Sequence, residues 1–103
     1  MDKSTGHLHK QLNTVIHPPI RLSIIAMLSR QKKVEFGKIR DAVGISAAAL
    51  SKNMTPLEAA GYIEIQKGYA GKRPRTWLSI TDQGSAVFQR HTAALLAISR
   101  GLA

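Results

Sequence analysis

Lys67, Lys72, Arg73 and Arg75 fall within the stretch QKGYAGKRPRTW, with Gly68, Gly71 and Pro74 between them. Like charges this close repel one another, so their concentration points to an anionic partner. Lysine and arginine bind phosphate oxygens, and arginine also enters the minor groove of a duplex. The glycines permit close backbone approach, and Pro74 stiffens the return. A plainer explanation is a solvated loop whose charges keep a sheet edge from aggregating. Either way, the chemistry on offer is polyanion binding rather than bond making. No Gly-rich phosphate loop, nucleophile elbow or paired carboxylates occur, and Asp41, Glu58 and Glu64 are scattered, so no enzyme is expected.

The whole chain shares this bias. Fifteen Lys+Arg face six Asp+Glu in 103 residues, a formal net charge of +9. That balance favours nucleic acid or an anionic surface. Length indicates one domain, and no apolar run is long enough to span a bilayer. The N-terminus has no signal-peptide core, so the expected location is the cytoplasm, with no membrane partner. Without cysteine there are no disulfides or thiolate metal sites. His7, His9, His17 and His91 lack an accompanying carboxylate cluster, so no metal or cofactor is expected.

The elements that must position the cations follow from apolar spacing. Leu8, Leu12, Val15 and Ile16 predict a short amphipathic helix ended by Pro18 and Pro19. Ile20, Ile24, Met27 and Leu28 share one face of a second helix. QKKVEF reads as a polar break. Phe36, Ile39 and Val43 predict a third helix stopped by Gly44. Ser46 is a good N-cap for a fourth, spanning 46–60, with Leu50, Met54 and Leu57 inward. The period then changes to two: Ile63 and Ile65, then Leu78 and Ile80, predict a two-stranded antiparallel hairpin with a long basic loop. Thr81 or Asp82 caps a last helix carrying Val87, Phe88, His91, Leu95, Ile98 and Leu102 along one side.

The third and fourth helices form a helix-turn-helix unit. With the apolar face inward, Ala48, Ser51, Lys52 and Thr55 point outward, flanked by Ala47 and Ala49. Small side chains permit close approach to bases, alanine suits a thymine methyl, and Ser46 at the helix start offers a phosphate site. A well-capped alanine-rich helix would explain the same residues without DNA.

Three segments carry a family resemblance: VIHPPIRLSIIAML, VEFGKIRDAVGISAAALSKNMTPLEAAGYIEIQKGY and RPRTWLSITDQG. Over about Val15 to His91 the chain resembles short single-domain winged-helix regulators of the MarR-like group. The resemblance implies a mainly α fold with a β-hairpin, a winged helix-turn-helix with extra terminal helices. It also implies double-stranded DNA binding, a homodimer, and helix 46–60 in the major groove. Residues 67–76 would form the wing on the backbone or minor groove, where Lys67, Tyr69, Lys72, Arg73 and Arg75 join Lys38 and Arg40. Residues 1–17 form an N-terminal arm or helix, 18–81 the core and 82–103 a dimerisation helix. Leu8, Leu12, Val15, Phe88, His91, Leu95, Ile98 and Leu102 are the expected dimer stripe.

Two features depart from the group's pattern. Pro56 lies inside the recognition helix, where it is expected to kink the helix near Lys52. The outward face also has few long side chains, which shifts weight toward shape readout. Trp77 is expected to pack on Tyr62 or the last helix. The expected function is a dimeric repressor acting by occupancy. A winged helix that binds RNA or a protein partner is the second reading, and nothing indicates a small-molecule effector.

Overall fold

The computed structural model describes residues 7–101. Four α-helices and a three-stranded antiparallel sheet follow a short 3-10 helix at Leu8–Gln11. The helices are α1 (Pro19–Leu28), α2 (Phe36–Val43), α3 (Ala47–Ala59) and α4 (Asp82–Ser99). The strands are β1 (Val34–Glu35), β2 (Ile63–Ala70) and β3 (Arg73–Ile80), in sheet order β1-β3-β2.

The caps account for where these helices start. Pro19 occupies the first turn of α1, where its missing N–H costs nothing. Ser46 Oγ accepts from the Ala49 N–H at 3.0 Å, and Thr81 Oγ1 accepts from the Gly84 N–H at 2.9 Å. α2 closes on Gly44 in the left-handed region, φ 77°.

One core joins the pieces. Ile24, Ile25 and Leu28 of α1 meet Ile39 of α2, Leu50 and Leu57 of α3, and Ile63 and Leu78 of the sheet, all buried. Ile63 pairs with Ile80 and Ile65 with Leu78, so one face of the ribbon packs on the helices.

Four expectations need correction. The hairpin has a third strand: Val34 pairs with Leu78 and Glu35 with Trp77. A two-residue strand is too short to show alternation, which is why QKKVEF reads as a break.

The long loop is absent. Register continues from Ile63↔Ile80 to Ala70↔Arg73, leaving Gly71 and Lys72 as the turn. Gly71 has φ 65° and Lys72 has no positive φ, the pattern of a type II′ hairpin turn with glycine first.

The predicted N-terminal helix is only a 3-10 turn. Lys10 N–H bonds His7 O and Leu12 N–H bonds His9 O, and the backbone is extended at Leu12, ψ 133°. Asn13 ends it by local competition: its side-chain oxygen accepts from the N–H groups of Val15 and Ile16, at 2.8 and 3.2 Å.

Trp77, expected against Tyr62 or α4, stands on the ribbon face opposite Leu78. It lies over Gly68, close enough that a Cβ there would come within 3.1 Å of its ring, with the Lys33 ammonium 5.1 Å from the ring centroid.

Candidate nucleic-acid interface

Helix α3 is held from below by Leu50, Met54 and Leu57, all buried. Its opposite side presents Ala47, Ala48, Ser51, Lys52 and Thr55 to solvent, with Ala49 half-buried at the edge. Thr55 Oγ1 donates to the Ser51 carbonyl at 3.2 Å, which leaves its lone pairs free to accept. Ser46 is exposed, but its hydroxyl oxygen is engaged as the cap. The helix continues through Pro56 to Ala59, so the proline removes one backbone donor without ending it.

Strand alternation distributes the wing cations. Lys67 pairs with Thr76 and Tyr69 with Pro74, on the face shared with Ile63 and Ile65. Between this face and α3 lies a cleft of about 740 Å³ lined by Phe36, Ser51, Met54, Thr55, Glu58, Ile65, Lys67 and Thr76. Tyr69 stands beyond it, 72% exposed. Arg73 and Arg75, paired with Ala70 and Gly68, belong to the other face, and Lys72 sits in the turn. The cations are therefore a two-sided ribbon rather than a single cluster.

They also differ in availability. Arg75 Nη1 pairs with Glu35 Oε1 at 3.3 Å, both side chains about one-third exposed. Its Nε is buried with no partner among the described residues. Arg40 Nε bonds Asp41 Oδ1 at 2.9 Å. That bond holds the Asp41 carboxyl below its usual range and raises the Arg40 guanidinium further. Among the described residues, no carboxylate pairs with Lys38, Lys52, Lys67, Lys72 or Arg73.

Sequence spacing missed Glu58, which lines the same cleft as Lys67. Nothing in local spacing marks it, because the cleft joins elements distant in the chain. It also missed Lys33, since its partner Trp77 comes from β3, distant in the chain.

The expected dimer residues scatter. Leu8 and His91 are buried within one chain, and Val15 and Phe88 pack on the core. Leu12, Leu95 and Ile98 are half-buried, Leu96 is 49% exposed, and Leu102 lies outside the described residues. The 3-10 turn lies against α4. The Asn13 N–H donates to His91 Nδ1 at 2.8 Å, and His91 Nε2 meets His17 Nδ1 at 3.2 Å. Burial, with His17 close by, pushes the His91 pKa down. No group of three or more metal-ligating side chains occurs among the described residues.

The winged helix DNA-binding domain model matches residues 20–98, from α1 almost to the end of α4. The chain belongs to this family. No curated protein sequence matches it. A transcriptional regulator homologue from Pyrococcus horikoshii OT3 has a similar structure, with a TM-score of 0.84 and 28% identity over 98% of each chain. A MarR-family regulator from Enterococcus faecalis V583 shares the fold at TM-score 0.73 and 20% identity, over 98% of this chain and 88% of that one. YusO from Bacillus subtilis does so at 0.73 and 20%, over 95% and 69%. The protein is thus built as a winged-helix DNA-binding domain, and it shares its fold with these regulators. In this winged helix, α3 is the second helix of the helix-turn-helix and the β2–β3 ribbon is its hairpin. Among the described residues no helix is long and apolar enough to cross a membrane.

Proposed function

We propose that this winged-helix protein is a homodimeric, sequence-specific repressor of the cytoplasm that blocks transcription by occupying its operator. Residues 18–81 read DNA, with α3 in the major groove and the wing on the backbone or minor groove. Residues 82–103 make the dimer with the N-terminal segment. The observation that carries this reading is the free outer face of α3 facing a cleft whose far wall holds Lys67. Small residues at the start of α3 let the helix sit deep in the groove. Lys67 and Tyr69 extend from the same ribbon face, within reach of the flanking backbone. Lys72 and Arg73 supply cations at the tip that no carboxylate pairs among the described residues.

For the dimer, the support is apolar surface on α4 that the described residues leave partly open: Leu96 is 49% exposed beside half-buried Leu95 and Ile98. A two-fold pairing would bury it on both copies and present two α3 helices to half-sites about 34 Å apart or a multiple of that spacing.

Selection on random duplex DNA, followed by competition with RNA of the same sequence, tests the reading. Enrichment of a pseudo-palindrome that RNA does not displace is the expected result. Preference for RNA, or no enriched sequence, would favour the RNA or protein-interaction alternative. Transcription in vitro from a promoter overlapping the enriched site, lowered by the protein, tests repression.

A further inference from the structure

The outer face of α3 reads DNA only if the helix is held at a fixed rotation and height. Its buried apolar residues set which side faces outward, and directional contacts refine the angle and height. Ile24 and Ile25 of α1 pack near Leu50 and Leu57 of α3 in one buried core. Such packing resists separation, but hydrophobic attraction has no direction of its own. Directional contacts further limit turning or sliding.

One such contact joins α1 to α3. Arg21, half-buried on α1, donates from Nε to Asn53 Oδ1 at 3.4 Å. The same guanidinium donates from Nη1 to the Val15 carbonyl at 3.2 Å. Asn53 is itself oriented, because its Nδ2 donates to the Ala49 carbonyl one turn back at 2.8 Å. That bond turns the amide oxygen toward α1. Asn53 immediately follows Ser51 and Lys52, so the contact acts on the turn that carries the outward face. At its other end, Val15 is fixed by its N–H to Asn13 Oδ1 at 2.8 Å. The fork therefore spans from the recognition helix to the segment docked on α4.

We propose that Arg21 is a positioning residue for sequence reading: it fixes α3 through Asn53 and so sets specificity without contacting a base. The inference rests on the reading of α3 as the DNA-reading helix. Hydrogen bonds to base edges tolerate only a few tenths of an ångström and limited rotation. Flexible lysines reaching phosphates tolerate far more. Loosening the fork therefore lowers specific binding and leaves non-specific binding in place. Arg21→Lys keeps the charge but has no planar fork to hold both acceptors. Asn53→Ala keeps the charge, removes the acceptor and improves helix propensity, which guards against simple unfolding.

The test begins with selection by the wild-type protein on random duplex DNA. Affinities of wild type, Arg21→Lys and Asn53→Ala are then measured on the enriched sequence and on random duplex, across a salt series. The specific-to-random ratio is expected to fall about tenfold in both variants, with binding to random duplex and the salt slope unchanged. An unchanged ratio in the two variants overturns the inference while leaving the function standing. So does a parallel fall on both DNAs in Arg21→Lys, which would make Arg21 a phosphate contact. If the wild-type protein enriches no sequence, the underlying reading fails and the inference with it.

Discussion

The backbone N–H of Asn13 donates to Nδ1 of His91, 2.8 Å away and 78 residues along the chain. A nitrogen that accepts cannot carry a proton, so His91 is held neutral with its proton on Nε2, facing His17 Nδ1 at 3.2 Å. Asn13 also donates from Nδ2 to the Tyr62 hydroxyl at 3.0 Å. One asparagine thereby fastens the N-terminal segment to α4 and to the entry of the sheet.

This arrangement makes stability depend on pH. The folded-state pKa of His91 is lowered from 6.5, mainly by burial and then by His17. The unfolded chain therefore binds the proton more readily. The stabilisation is fully present above about pH 6.5 and is lost as pH falls through the folded-state pKa. Urea melts at a series of pH values between 5 and 8 should show this decline. His91→Gln, which offers a carbonyl acceptor to Asn13, should flatten it in that window. An equally steep profile in the variant would assign the dependence to other groups.

The two wing arginines should behave differently. Arg73 is exposed and unpaired among the described residues, so Arg73→Ala should change stability by less than about 0.5 kcal/mol. It should weaken binding to all duplexes alike and reduce the magnitude of the salt slope by about 0.9 if it meets one phosphate. Arg75→Ala leaves the half-buried Glu35 carboxylate without its partner, and should cost about 1 kcal/mol of stability. Thermal melts and salt titrations of both variants separate the effects. Equal loss of stability in the two would contradict this division.

Gly84 allows the start of α4 to touch the sheet. A Cβ there would run into the Tyr62 carbonyl and come within 3.0 Å of Ile80. The Thr81 N–H bonds the same Tyr62 carbonyl at 3.0 Å, so the backbone has little room to yield. Gly84→Ala should destabilise by about 3 kcal/mol, the range of overpacking in a tight core. A melt within one degree of wild type would show that α4 can shift freely.

Leu96→Glu should separate the proposed dimer without unfolding the chain. Leu96 is 49% exposed, so the substitution adds a charge at a surface rather than in the core. Sedimentation at micromolar concentration should show half the wild-type mass at unchanged helicity. A wild-type protein already monomeric at that concentration would refute the dimer directly.

Local chemistry determined much of this protein. Ser46 and Thr81 cap helices because a hydroxyl before an apolar period meets free N–H groups of the next turn, a matter of a few adjacent residues. Leu50, Met54 and Leu57 recur with the helical period and fix which side of α3 is left outward. Ile63, Ile65, Leu78 and Ile80 alternate and so announce the ribbon.

Only the tertiary structure decided the rest, because each remaining feature needs a partner far along the chain. The strand Val34–Glu35 exists by pairing with Leu78 and Trp77. Arg75 is tied down by Glu35, which the sequence places 40 residues away. The N-terminal apolar residues carry a helical period, but Asn13 takes the Val15 and Ile16 N–H groups locally, and where the segment then docks is set by its N–H to His91 and its amide to Tyr62. Where apolar spacing alone leaves His91 on an outward stripe, the docked N-terminal segment covers it, since periodicity defines a face but not what packs against it.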